Sequence, residues 1–283
     1  MKKNILLPTD FSRNAYNAAI YARELYKNET CDFYIMNAFS SSYVALGDMD
    51  APVTGRNFYE TAKEIADEGL NKALQRLLLK PRYNNHNYHM LSCFDNPLDA
   101  IKQVVDEKDI ELIVMGSKGA HDDPNNAFGS TTISVMEKAR NCPVLAVPGH
   151  ITYKEPKEIV FPTNYKIYFK RRELQSMYEI AKITNAAICI LHVKEDISLD
   201  DEQKNNKELL ENGLDGLEYS FHELDNSNVL EGIKNFVESR GSDMIAFINK
   251  KHAFFNTIFS QPMVKSLGNA SKVPVLVMHD LKN

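Results

Sequence analysis

The chain is poor in cysteine, and its cysteines form no recognisable pattern. Cys31, Cys93, Cys142 and Cys189 lie far apart, without a Cys-x-x-Cys pair and without histidine at metal-binding spacing. This distribution argues against a disulfide framework and against a zinc site of the usual kinds. We expect four reduced cysteines that belong to the core, and no metal ligand among them.

A hydrophobic segment at the N-terminus is also missing. The apolar run Ile-Leu-Leu ends at Pro8, whereas a signal peptide needs about 7–15 apolar residues and a membrane span about 20. The formal net charge of −5 gives no broad attraction for nucleic acid or for an anionic membrane. We therefore expect a cytoplasmic protein whose partners are neither nucleic acids nor membranes.

Several motifs of catalysis are absent from the sequence. It contains no P-loop signature Gly-x-x-x-x-Gly-Lys-Ser/Thr, no His-Glu-x-x-His, no nucleophile elbow and no Gly-x-Gly-x-x-Gly. No residue is therefore assigned a catalytic role. The sequence favours a binding protein over an enzyme, and a slow ATPase is the most that it supports.

Short apolar runs alternate with helical patterns along the first half of the chain. A chain of 283 residues, 43% of them hydrophobic, can form two domains that each bury a core. Ser12 is a candidate helix cap, and Pro97 suits the first turn of another helix. The alternation predicts an α/β fold with a five-stranded parallel sheet, its strands at 4–7, 32–39, 88–94, 112–115 and 142–147.

The second half of the chain repeats the first. NILLPTD returns as EIVFPTN, YIMNA as CILHV, ELIVMG as DMIAFI, and CPVLAV as VPVLVM. We predict two open-sheet domains at residues 1–150 and 151–283, joined near 150–157. The last strand of each copy would be an unpaired edge unless the two strands paired with each other. The sequence therefore predicts an internal pseudo-dimer.

Residues 112–132, LIVMGSKGAHDDPNNAFGSTT, combine a buried strand, a glycine-containing turn, a polar loop and a helix start. Gly116 and Gly119 would allow positive φ and let a ligand approach the backbone. Gly129, Ser130, Thr131 and Thr132 would place free N–H groups and hydroxyls at a helix N-terminus, where anions bind. Either half alone is an ordinary turn or cap, but together they predict a phosphate-binding site.

The Pro-Thr-Asp that ends the first strand, the Gly-x-x-Gly after the fourth, and the Gly-Ser that follows after nine intervening residues resemble the ATP-binding signature of the universal stress protein family. The resemblance covers both halves and implies a Rossmann-like fold. It implies that Asp10 lies beside the adenine and ribose, that backbone near Asn37 and Ala38 faces the base, and that Lys118 either neutralises phosphate or is simply solvated. The implied nucleotide site comprises Pro8, Thr9, Asp10, Ala38, Met115, Gly116, Ser117, Gly119, Gly129, Ser130, Thr131 and Thr132.

The second copy departs from this signature. A branched side chain at Ile248 is expected to fill space that the ribose needs, and Pro262 removes a backbone donor. Lys250, Lys251 and His252 form either another anion site or a solvated basic loop, and His192 is expected to be structural. We therefore predict ATP binding by the first copy only. The replacements are Asn164 for Asp10, Ile248 for Gly116, Lys251 for Gly119, and Ser260-Gln261 for Gly129-Ser130.

The sequence predicts a nucleotide-responsive regulatory module of the stress response that binds ATP, with or without Mg²⁺, and an unidentified protein partner. Two alternatives remain open at this point: a slow ATPase or other ATP-dependent enzyme, and a scaffold whose second copy binds a non-nucleotide ligand. A homodimer of the whole chain is open as well. Residues 40–56, rich in serine and containing Gly47, Pro52 and Gly55, are a candidate lid.

Overall fold

A computed structural model of the chain describes residues 2–40, 55–80, 83–119, 128–194, 198–225, 228–249 and 271–280. Most of the candidate lid, the loop at 120–127 and residues 250–270 of the second copy lie outside these ranges. The first copy consists of β1 (Lys3–Pro8), α1 (Arg13–Leu25), β2 (Cys31–Phe39), α2 (Gly55–Leu78), β3 (His86–Phe94), α3 (Pro97–Glu107), β4 (Leu112–Gly116), α4 (Ser130–Lys138) and β5 (Val144–Val147). The second consists of β6 (Glu158–Pro162), α5 (Gln175–Thr184), β7 (Ala187–Lys194), α6 (Asp201–Gly213), β8 (Tyr219–Asp225), α7 (Val229–Arg240), β9 (Met244–Asn249) and β10 (Val275–His279).

All ten described strands form one sheet, in the order β3-β2-β1-β4-β5-β10-β9-β6-β7-β8. Neighbouring strands are parallel within each copy, and the single antiparallel pair is β5 with β10. At that pair Leu145 lies opposite Leu276. The α/β fold class and the internal pseudo-dimer are thus confirmed, and the two edges that would otherwise be unpaired cover each other. The predicted boundary at residue 150 falls in the connection between β5 and β6.

The central strands are buried on both faces, as the apolar runs predicted. One apolar cluster lies on the side of α1 and α5, and the other on the side of α3, α4 and α7. The local signals at helix starts are confirmed. The Ser12 side chain accepts the N–H of Ala15 at the start of α1, and Pro97 follows the cap Asn96 at the start of α3. These caps fix the helix ends that meet the carboxyl edge of the sheet.

All four cysteines are free, as predicted, and Cys31, Cys142 and Cys189 are buried. Burial raises the pKa of the Cys31 thiol to about 12 and raises that of Cys142 as well. Because the thiolate is the reactive form, Cys31 and Cys142 are inert side chains of the core at neutral pH. No helix among the described residues combines the length and the apolar content needed to span a bilayer.

A fragment of residues 1–150 is expected to self-associate, because removal of the second copy leaves β5 with unpaired N–H and C=O groups. The β5 run PVLAV resembles the β10 run PVLVM, so two fragments can pair through β5 as β5 pairs with β10. Light scattering should give twice the fragment mass. A well-folded, strictly monomeric fragment would argue against the pairing.

The start of β6 is tied to the end of α7 by an ion pair that should be sensitive to acid. The Arg240 guanidinium donates to Glu158, with Nε 2.9 Å from Oε1, and Ser242 adds a hydroxyl. These bonds lower the pKa of Glu158 from 4.5 to about 2. Because the folded pKa is depressed, the stabilisation is present above pH 4.5 and is lost as the pH falls towards 2. It should amount to about 1–2 kcal/mol, since solvent screens the partly exposed Arg240.

Urea unfolding of the chain at several pH values tests this pair. We expect Arg240→Gln to lower the free energy of unfolding at pH 7 and to flatten its fall between pH 4.5 and 2. Lys272→Gln, which removes the partner of Glu238 in an exposed pair, is the matched control and should leave the profile unchanged. An Arg240→Gln profile that parallels the parent profile would contradict the assignment.

Candidate functional site

The candidate site lies where the strand order of the first copy reverses. From β1 the chain adds β2 and β3 on one side, and then β4 and β5 on the other. The connections after β1 and β4 therefore leave in opposite directions and open a crevice at their carboxyl ends. Ligands of open α/β sheets bind at such switch points.

A cavity of about 160 Å³ occupies this crevice. Nine of the twelve residues predicted from the sequence line it: Pro8, Thr9, Asp10, Ala38, Met115, Gly116, Gly119, Thr131 and Thr132. Pockets for small molecules usually measure about 300–1,000 Å³. The space that the described residues enclose is therefore smaller than a usual small-molecule site, and the loop at 120–127, next to it in sequence, lies outside the described residues.

The three other predicted residues support the cavity without lining it. The Gly129 N–H donates to the Ser117 carbonyl at 2.7 Å, and the Ser117 N–H donates to the Val147 carbonyl at 2.9 Å. The N–H of Gly129 is therefore already engaged, which corrects its expected role as a phosphate donor. Gly129 and Ser117 instead hold together the segments on either side of residues 120–127, and Ser130 is exposed at the start of α4.

Sequence reasoning missed four residues of the lining: Ala15, Met36, Pro97 and Ile101. Pro97 and Ile101 belong to α3, which lies outside the glycine motif. A signal was nevertheless present, since Pro97 opens a helix directly after β3 and Ile101 lies one turn further on the same helix face. The carboxyl edge of the sheet gathers these side chains although they are distant in sequence.

The turn after β1 is built by its own side chains. The Asp10 carboxylate accepts the Ser12 N–H, and the Thr9 hydroxyl accepts the Phe11 N–H, both at 3.0 Å. The Asn37 amide donates to the Thr9 carbonyl at 2.7 Å. Phe11 has φ of +64°, an uncommon conformation for a residue with a side chain. The Pro-Thr-Asp sequence thus positions a carboxylate beside the cavity.

The second copy repeats this turn bond for bond. Asn164 accepts the Lys166 N–H at 3.0 Å, the Thr163 hydroxyl accepts the Tyr165 N–H at 3.1 Å, and Tyr165 has φ of +57°. His192 takes the place of Asn37, with its Nδ1 3.0 Å from the Thr163 carbonyl oxygen. His192 is therefore a structural residue here. An asparagine in place of Asp10 evidently preserves the turn.

Gly116 is required for helix packing. A Cβ atom at this position would lie 2.9 Å from the carbonyl carbon of Asn14 and 3.1 Å from the N of Ala15. Both atoms belong to the backbone of α1, which therefore sits directly against Gly116. Gly116 does not have positive φ. The expectation of positive φ at this glycine is therefore wrong, whereas its role in ligand approach stays a prediction.

The second copy shows how the fold adapts to a side chain at this position. Ile248 is buried in the apolar cluster on the side of α1 and α5. The first helix of the copy starts later there, since Gln175 lies eleven residues after Asn164, whereas Arg13 lies three residues after Asp10. Ile248 is thus accommodated as a core side chain of the second copy, and its expected clash with a ribose stays a prediction. Lys251, Ser260, Gln261 and Pro262 lie outside the described residues.

The start of α4 supplies donors at the crevice. Gly129 is its N-cap, and none of the described residues accepts a hydrogen bond from the N–H groups of Ser130, Thr131 and Thr132. The Thr132 hydroxyl donates to the Gly116 carbonyl at 2.9 Å, so its proton holds α4 against β4. The helix dipole and the three N–H groups favour an anion at this end.

The charged residues that line the cavity in the described part of the chain are Asp10 and Lys118, one acid and one base. Among the described residues no three His, Cys, Asp or Glu side chains come together as a metal site. The arrangement provides one carboxylate, one cation, apolar walls and a helix N-terminus. These groups suit a ligand that has a flat or sugar-like part and an anionic part.

Comparison with known proteins bears on the first copy and on the fold of the whole chain. The model of the universal stress protein family matches residues 1–148. A universal stress protein from Archaeoglobus fulgidus DSM 4304 is 19% identical, with a TM-score of 0.68 over 97% of this chain and 95% of that chain. A protein from Pseudomonas aeruginosa UCBPP-PA14, assigned provisionally to the same family, is 12% identical, with a TM-score of 0.59 over 98% and 93%. These structures share the whole two-copy fold. A search of curated protein sequences finds no match.

Proposed function

The chain belongs to the universal stress protein family, and from this premise we propose that its first copy binds ATP and acts as a nucleotide-responsive module of the stress response. The observation that carries the proposal is the convergence of Asp10, the backbone at Ala38 and the start of α4 on one cavity at the switch point. These groups come from β1, β2 and α4, far apart in sequence.

The cavity offers a partner for each part of ATP. The Asp10 carboxylate suits a sugar hydroxyl or the base amine, and backbone at Asn37 and Ala38 suits the base edge. The N–H groups of Ser130, Thr131 and Thr132, together with Lys118, suit the phosphates. Bound phosphate would contact the start of α4, at one end of the loop at 120–128, and we infer that it orders this loop and so changes a surface for a protein partner.

The fate of ATP separates a binding module from a slow ATPase. We expect purified protein, mixed with equimolar ATP and Mg²⁺, to return the nucleotide intact after many minutes when the quenched mixture is analysed by chromatography. Among the described residues the cavity lining holds one acid, Asp10, which by itself gives little support for positioning both a metal ion and an attacking water. ADP that accumulates with the protein, and that disappears with an Asp10→Asn chain, would favour the ATPase instead.

A further inference from the structure

A second and larger cavity lies on the opposite face of the sheet from the nucleotide crevice. It measures about 450 Å³ and lies between α1, α2 and the carboxyl ends of β1 and β2. Its floor is apolar and is formed mainly by Leu7, Ala15, Ala19, Ile35, Ala73 and Leu77. The volume falls within the range of about 300–1,000 Å³ that is usual for small-molecule sites.

In the second copy the equivalent helix is hydrogen-bonded to the turn. There α6, the helix after the second strand, is held against the turn by Gln203, which donates to the Asn164 carbonyl, and by Asn206, which donates to the Tyr165 carbonyl, both at 2.8 Å. In the first copy α2 meets the turn through Gly69. A Cβ atom there would lie 2.4 Å from the ring of Phe11. The helix thus rests on one ring and leaves the space beside it open.

The rim of this cavity carries more positive than negative charge. Lys72 pairs with Glu68 at 3.3 Å, but both side chains are more than two-thirds exposed, so the pair is weak and Lys72 can turn to another anion. The Arg76 guanidinium lies 3.9 Å from the centre of the Tyr16 ring, which orients it at the rim. Among the described lining residues, Lys72 and Arg76 therefore face one acid, Glu68, above an apolar floor.

We propose that this cavity binds a small amphipathic anion, with an apolar chain or ring on the floor and one acidic head group at Lys72 and Arg76. The apolar lining favours the chain because its burial removes apolar surface from water. The excess of positive charge selects an acidic head over a cationic one. The site lies between α1 and α2, and its lining shares Pro8, Thr9 and Ala15 with that of the nucleotide crevice.

Calorimetric titration of the full chain with decanoate tests the proposal. Saturable binding with one site per chain is expected. Octanoate should bind roughly 15-fold more weakly, because each buried CH₂ contributes about fourfold in affinity. Decyltrimethylammonium, which has the same chain and the opposite charge, should not compete. Absence of decanoate binding, or equal binding of the cationic analogue, would overturn the proposal.

Two variants on α2 locate the site. Lys72→Glu should weaken decanoate binding about tenfold, because it replaces an attraction by a repulsion. Lys63→Glu is the matched control, since Lys63 lies on the same helix in a similar pair with Asp67 and outside the cavity lining. Equal effects of the two variants would place decanoate elsewhere. ATP titration of the same proteins separates this outcome from a failure of the nucleotide site.

Discussion

Replacement of Gly116 by valine is expected to lower the free energy of unfolding by about 2–3 kcal/mol and to abolish ATP binding as a consequence. A single added carbon already lies 2.9–3.1 Å from the backbone of Asn14 and Ala15. Backbone cannot rotate away as a side chain can, so α1 must move, and overpacking of this kind costs about 1–3 kcal/mol. The Asp10 turn leads directly into α1 and would be displaced with it. Urea unfolding and calorimetry on the same preparation measure both effects.

Ile248→Val in the second copy is the matched control for this experiment. It changes the residue equivalent to Gly116 and should cost about 0.5–1.5 kcal/mol, the usual cost of one buried methyl group, without changing ATP affinity. A Gly116→Val chain that unfolds like the parent and still binds ATP would contradict the packing of α1. A chain with parent stability and no ATP binding would show that the glycine serves ligand approach after all.

Asp10→Asn is expected to weaken ATP binding by about 1–3 kcal/mol, or roughly 10- to 100-fold, the scale of a hydrogen bond to a charged group. The free energy of unfolding should stay nearly constant. The second copy supports this separation, because Asn164 accepts the Lys166 N–H as Asp10 accepts the Ser12 N–H, at 3.0 Å in both. The substitution therefore removes the charge and keeps the turn.

Asn164→Asp is the converse substitution and should leave ATP affinity unchanged, because the proposed site lies in the first copy. Calorimetry measures the ATP affinity of both variants, and urea unfolding measures their free energy of unfolding. Equal ATP affinity of the parent and the Asp10→Asn chain would remove Asp10 from the site. A large fall in stability would instead assign its carboxylate to the fold.

The sequence predicts local features of this protein well and contacts between distant segments poorly. The caps at Ser12 and Asn96 depend on neighbours within a few residues, so the sequence signals them directly. The pairing of β5 with β10 was predictable because the internal repeat exposes two matching edges. The packing role of Gly116 was not predictable, since the α1 residues that contact it lie about a hundred residues away along the chain. The same limit explains why Pro97 and Ile101 were missed.

The second copy shows how a substitution is interpreted differently once its neighbours are known. In the sequence, Ile248 suggested a blocked ribose site. In the structure it accompanies a first helix that begins later, at Gln175, and it belongs to the core. The loss of the acid at Asn164 remains, and it is the described difference that bears most directly on nucleotide binding.

The stoichiometry of ATP binding tests the central claim most directly. Calorimetric titration of the full chain should give one ATP per chain, lost with Asp10→Asn at moderate ATP concentration and retained with Asn164→Asp. Two equivalent sites per chain, or no binding to the parent protein, would contradict the account of an intact first copy and a second copy that does not bind nucleotide.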